Sequence, residues 1–171
     1  LATIPVGRRL FVELKCELDS GAPSQIVDAL ERALSTAAAK PDSVVLISFD
    51  MNLLAAAKRR LPEFSAFLVA EQSFRENQVD GTTTGTGNWE PSIDCLIEAA
   101  VSAGFDGVDL SNTEAVTREA VDRIKHAQLA SCVWTVNSID DARRLVLAGV
   151  DSLTTDDPRT LRAALSGSAG Q

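Results

Sequence analysis

Histidine is almost missing from this chain: His126 is the sole example in 171 residues. Cysteine is sparse and unclustered, occurring as Cys16, Cys95 and Cys132 with no CxxC pair. Zinc sites need grouped cysteine and histidine, so a zinc site is not expected. An odd number of cysteines in a chain of this length leans towards a reducing compartment, and hence a cytoplasmic location. Long apolar runs are also missing. None approaches the roughly 18 residues that a membrane span requires. The segment Leu1 to Arg9 lacks the basic region and apolar stretch of a signal peptide. Positive charge is in deficit, with a formal net charge of −8. Nucleic acid as a partner is thereby disfavoured, because its phosphates need a basic stripe. An acidic surface mainly aids solubility, and a local pocket can still oppose it and take an anion. Position 1 is Leu rather than Met, so the sequence is expected to begin partway through a longer product.

Apolar residues are plentiful, at 45%, and they allow a sizeable core. Strand-like and helix-like segments alternate along the chain. Strands are expected at Leu10–Lys15, Val44–Phe49, Ala66–Glu71, Gly107–Leu110, Cys132–Val136 and Ser152–Thr155. Helices are expected at Ser24–Ala39, Asn52–Leu61, Ser92–Ala103, Glu114–Ala127 and Ile139–Ala148, with a last one starting at Asp157-Pro158. A short pattern occurs twice: Ala103-Gly104-Phe105-Asp106 and Ala148-Gly149-Val150-Asp151. Each reads as a helix stop, a tight turn and a strand entry. The stretch Glu76–Pro91 is rich in Thr and Gly and is expected to be a long loop, with no Gly-Lys-Ser/Thr to make it a phosphate loop. Strands that each lead into a helix favour an all-parallel sheet. No dinucleotide-binding glycine fingerprint follows an early strand, so the expectation is a single α/β domain over residues 1–171 of (β/α)8 TIM-barrel type, with six of the eight βα units.

Strand alternation puts Leu10, Val12 and Leu14 on one face of the first strand, and Phe11, Glu13 and Lys15 on the other. Inside a barrel an ionised Glu and Lys are costly unless paired or bound to an ion. Two readings stay open: a salt bridge that plugs the barrel mouth, or a site. In a site, Glu13 offers hard oxygen to a divalent cation and Lys15 offsets phosphate charge.

Four segments in register carry a resemblance. Phe11-Val12-Glu13-Leu14-Lys15, Val45-Leu46-Ile47-Ser48-Phe49-Asp50, Trp134-Thr135-Val136-Asn137 and Gly149 to Pro158 together resemble the glycerophosphodiester phosphodiesterase family. The resemblance implies a (β/α)8 barrel that hydrolyses a small-molecule glycerophosphodiester to glycerol 3-phosphate and an alcohol, with a divalent cation, Ca2+ or Mg2+. It implies that Glu13 is a metal ligand and that Glu13 and Lys15 are catalytic, Lys15 also contacting the phosphate. It implies that Trp134 lines the pocket for the glycerol end and that Asn137 is a substrate-binding residue, with capping of the next helix as its alternative. Simple packing is the alternative for Trp134. Asp157 reads as a helix cap, and Asp156 as a hydrogen-bonded turn residue.

The family's histidines act as general acid and base, one of them in a His-Arg-Gly motif. That motif does not occur in this sequence, and His126 falls in a helix, facing solvent or the outer shell. Six strands leave two open sheet edges. The expectation is that roughly 80 further N-terminal residues complete the barrel, given a typical length of about 250. The alternatives are pairing of the open edges with a second copy, a homo-oligomer, or an inactive relative. By itself the chain is expected to be inactive. Two rival functions are a non-catalytic binding module on a degenerate barrel, and an aldolase-type barrel using Lys15 as a Schiff base.

Overall fold

The alternation is realised in the computed structural model, which describes residue 5 and residues 7–16, 23–79 and 82–166. In chain order the elements are β1 (Leu10–Glu13), α1 (Pro23–Thr36), β2 (Val44–Ser48), α2 (Met51–Arg60), β3 (Ser65–Ala70), β4 (Ser73–Val79), β5 (Thr82–Glu90), α3 (Ile93–Ala103), β6 (Gly107–Ser111), α4 (Arg118–His126), β7 (Ala130–Trp134), α5 (Ile139–Ala148), β8 (Ser152–Leu153) and α6 (Pro158–Ser166). Six strands are hydrogen-bonded in the order β1-β2-β3-β6-β7-β8. The pairs β1–β2, β2–β3 and β7–β8 are parallel. Sequential order with a helix in each crossover is the connectivity of a (β/α)8 barrel, whereas a doubly wound sheet reverses its order partway. The fold is therefore α/β, with six βα units of the barrel type.

One expectation is corrected. Within Glu76–Pro91, residues 76–79 and 82–90 are not loop but belong to the antiparallel strands β4 and β5, which form their own two-stranded sheet; Asp80 and Gly81 lie outside the described residues. Thr is a good strand former, and Phe74 stands directly opposite Trp89 across the ladder. Some boundaries also move. Helix α4 starts at Arg118, because the Thr117 hydroxyl accepts the Ala120 N–H at 3.2 Å and caps it. Helix α5 spans the expected residues, capped by Ser138 and stopped by Gly149 at φ +92°.

The chain divides into two compact units, Leu1–Val69 with Ala99–Gly107, and Ala70–Glu98 with Val108–Gln171. In the first, β2 is buried on both faces, as a parallel strand covered by helices should be, with Val44, Val45 and Leu46 fully inaccessible. Helix α2 adds Leu53, Leu54 and Ala57, also fully inaccessible. In the second, Val108, Leu110, Val133 and Val136, with Val121 and Ile124 of α4 and Leu145 of α5, are buried apolar residues.

The repeated turn pattern has a physical reason. In the first unit, Asp106 accepts the Ala66 N–H at 2.8 Å and returns its own N–H to the Ala66 carbonyl at 2.9 Å. Lys58 also donates to Asp106 at 2.8 Å. In the second unit, Asp151 accepts from the Ser131 N–H and hydroxyl at 2.8 and 2.9 Å, and donates its N–H to the Ser131 carbonyl at 3.0 Å. Each Asp thus latches an entering strand to the start of an earlier one. The glycine two residues before it has positive φ, +70° at Gly104 and +92° at Gly149, which a side chain would strain.

Candidate active site

Active sites of barrels lie at the C-terminal ends of the strands. In the first unit, β1 ends at Glu13, which is in register with Ile47 of β2. The Leu14 N–H donates to the Ile47 carbonyl at 2.8 Å and extends the pairing one residue further. Fully buried Ser48 then fixes this strand end: its hydroxyl donates to the Leu14 carbonyl at 2.7 Å and accepts the Asp50 N–H at 3.0 Å. Asp50 in turn caps α2 by accepting from Asn52 and Leu53. Leu14 is buried while Glu13 and Lys15 are exposed, but the expected alternation does not run along the whole strand, since Leu10 is as exposed as Phe11.

Lys15 Nζ lies 3.2 Å from Glu13 Oε2, with the two side chains 69% and 32% exposed. Inside a closed barrel such a pair is desolvated and costly. In this chain the pair is solvated, so burial supplies no electrostatic penalty that a ligand must relieve. The geometry still places one carboxylate and one ammonium together at a strand's C-terminal end. A carboxylate suits a hard divalent cation, but one carboxylate is not a site. Among the described residues no three His, Cys, Asp or Glu side chains converge on a point that could hold a metal ion. The donors among the described residues do not by themselves complete a metal centre.

In the second unit, Trp134 ends β7 half-buried, and its indole N–H donates to the Asp109 carbonyl at 3.1 Å. That bond helps set the ring's orientation. Asn137 is exposed, but its carboxamide is engaged. Its Oδ1 accepts from the Thr155 hydroxyl at 3.1 Å and the Asp156 N–H at 3.0 Å, and its Nδ2 donates to Asp156 Oδ2 at 2.7 Å. Asn137 therefore clamps the turn after β8, and the cap of α5 is Ser138 instead. Asp156 is the expected hydrogen-bonded turn residue. His126 is exposed at the end of α4, with Nδ1 2.8 Å from the Asp122 carbonyl.

Residues that sequence reasoning passed over also gather in the second unit. Gln72, 4% exposed, donates its side-chain N–H to the Pro91 carbonyl and its backbone N–H to Ser111 Oγ, both at 2.8 Å. Phe74 and Trp89 meet edge to face, with centroids 5.4 Å apart. They line an open cleft of about 680 Å³ together with Asn112, Thr113, Glu114, Asp141 and Arg144. The one available signal was Asp80-Gly81 between strand formers, a strong hairpin dipeptide.

A family model described as the glycerophosphoryl diester phosphodiesterase family matches residues 5–160. The chain belongs to that family. Solved phosphodiesterase structures agree with the fold. A glycerophosphoryl-diester-phosphodiesterase-type protein from Silicibacter pomeroyi superposes with a TM-score of 0.74 at 26% identity, over 94% of this chain and 50% of that one. An Oleispira antarctica phosphodiesterase, solved in complex with the product sn-glycerol-3-phosphate, gives 0.71 at 20% identity, over 92% and 55%. A glycerophosphodiester phosphodiesterase from Parabacteroides distasonis gives 0.63 at 21% identity, over 94% and 58%. The chain thus spans 50% to 58% of the length of these phosphodiesterases. No curated protein sequence matches it.

Proposed function

We propose that this chain serves the hydrolysis of glycerophosphodiesters to glycerol 3-phosphate and an alcohol. The observation that carries this reading is the family match over residues 5–160, which includes every segment of the resemblance. Lys15 offsets negative charge developing on the phosphate oxygens. Glu13 supplies one oxygen ligand to a calcium or magnesium ion, which polarises a phosphate oxygen when bound. The remaining ligands come from residues that the described part of this chain does not bring together. Trp134 lines the pocket for the glycerol end, and Asn137 holds the turn beside that strand end, with one N–H left over for substrate. The odd cysteine count fits a cytoplasmic setting.

Proton transfer needs an acid and a base of suitable pKa. His126, the sole histidine, sits exposed on a helix and is no candidate for either. We therefore expect the 171-residue chain alone to release no glycerol 3-phosphate from a glycerophosphodiester, with or without calcium or magnesium. A protein that adds a His-Arg-Gly segment ahead of Leu1 should turn over. A coupled glycerol 3-phosphate assay on both decides. Robust metal-dependent turnover by the chain alone would overturn the assignment of proton transfer to absent histidines. The exposed His126 also favours a second reading, a non-catalytic binding module. Specific calcium or magnesium binding by the extended protein, read by titration calorimetry, would exclude it.

A further inference from the structure

We propose that Ser48 is a positioning residue: its buried hydroxyl sets the place of Lys15 beyond the end of β1, while Glu13 is left to the strand ladder. The consequence for turnover rests on the phosphodiesterase reading above; the placement of Lys15 does not.

Solvation of the Glu13–Lys15 pair makes the backbone decisive. The Lys15 side chain is 69% exposed and that of Glu13 32%. Packing therefore fixes neither head group, and their mutual attraction is weak at this exposure. Each takes its position from the main chain that carries it, and the two are held differently. Glu13 lies within β1, in register with Ile47, so the parallel ladder holds it. Lys15 lies two residues further on, past the last strand residue. The Leu14 carbonyl, in the peptide group that joins Leu14 to Lys15, accepts the Ser48 hydroxyl at 2.7 Å. Among the described residues no backbone hydrogen bond of Lys15 itself adds to this one. A peptide group is planar, so fixing its carbonyl oxygen also fixes the nitrogen and Cα of the residue that follows.

Ser48 is well placed to do this. It ends β2 in register with Leu68 of β3, and it is 0% exposed. A hydroxyl has one proton to give. The Asp50 N–H donates to Ser48 Oγ at 3.0 Å, and the hydroxyl proton goes to the Leu14 carbonyl. Asp50 in turn caps α2. The hydroxyl thus ties the end of β1 to both β2 and the start of α2. Without it the Leu14–Lys15 peptide plane is free to turn. That rotation carries Lys15 but not Glu13, which precedes it and keeps its ladder. A residue that merely stabilised the fold would loosen both.

Backbone 15N relaxation of the chain tests the placement. Order parameters near about 0.85 are expected at both the Glu13 and Lys15 amides, and in Ser48→Ala the Lys15 value should fall towards about 0.6 while Glu13 holds. Ser48→Cys, close in volume but a weak donor, should loosen Lys15 in the same sense. An unchanged Lys15 amide in these variants, or an equal loss at Glu13, would overturn the proposal. In an extended protein competent for turnover, Ser48→Ala should lower kcat about tenfold, because the ammonium is misplaced. Calcium affinity, read by titration calorimetry, should stay within about twofold, because the Glu13 carboxylate is not. In a Lys15→Ala background the same Ser48 change should lower kcat by less than about twofold further, since residues that act through one another are not additive. Equal losses in both backgrounds, or a matching loss of calcium affinity, would overturn action through Lys15. A loosened Lys15 with unchanged kcat would sink the phosphate role given to Lys15 above, and leave its placement by Ser48 standing.

Discussion

Asp157 shows how far a single residue can be read from neighbours in sequence. Asp157-Pro158 marks a helix start, and the structure places Asp157 Oδ1 3.1 Å from the Thr160 N–H. Hydrogen bonds from the Thr160 side chain and then its backbone hold the Asp157 carboxyl below the ordinary aspartate range. A depressed folded-state pKa means that this cap is at full strength above the unfolded value of about 3.9 and is lost as pH falls through the folded value. The first-turn amide shifts of α6 should therefore show an acid transition by NMR, and Asp157→Asn, which still caps, should abolish it. Asn137 is the opposite case. Its partners lie 18 and 19 residues away, so no local pattern announces them. Asn137→Ala should cost about 1–2 kcal/mol in urea unfolding, from hydrogen bonds lost at the β8–α6 turn. The partners of Ser48 are likewise silent in sequence, although the residue stands in one of the segments that carry the resemblance. With its hydroxyl bonded on both sides and fully buried, Ser48→Ala should cost about 1–3 kcal/mol. A loss within error in the same denaturation experiment would mean that the end of β1 needs no such stitch.

Elements were legible where periodicity and punctuation agreed. Helix α5 has a cap, an apolar stripe and a terminal glycine, and its observed limits are the expected ones. Helix α4 begins later than its pattern, because periodicity cannot say which of several polar residues will cap. The hairpin was hidden because Thr and Gly serve both loops and strands; the cross-strand register, with Phe74 opposite Trp89, decides for strands. The repeated Ala-Gly-x-Asp turns were visible as turns. Their function as latches depends on the parallel neighbour, which sequence does not supply. Asp151→Ala removes acceptors for the Ser131 N–H and hydroxyl and should cost about 1–3 kcal/mol. Hydrogen exchange at the Ser131 amide should rise in that variant while amides of α6 stay unchanged; a uniform rise across the second unit would argue against a local latch.

At the scale of the whole molecule, β1 and β8 each have one neighbour in the six-stranded order. Unpaired strand edges invite association with another chain. Sedimentation of the isolated chain should show self-association that grows with concentration. A strictly monomeric chain at every concentration would show that these edges are protected. The family and the barrel connectivity bear on the whole molecule too. The Glu13–Lys15 pair is solvated, so Lys15→Ala should change stability by less than about 1 kcal/mol. The same change should lower turnover of an extended, active protein by at least tenfold, if Lys15 meets the phosphate.

The sequence by itself determined the α/β alternation, the six barrel-type units and the family, and it holds a single histidine. These follow from local periodicity, from turn chemistry and from which side chains are present at all. Tertiary structure alone decided that Glu13 and Lys15 are solvated, that Asn137 clamps a distant turn, that paired Asp residues latch neighbouring strands, and that Phe74 and Trp89 line an open cleft. Each of these depends on residues far apart in sequence, and on the water that packing leaves or removes, neither of which a local pattern encodes.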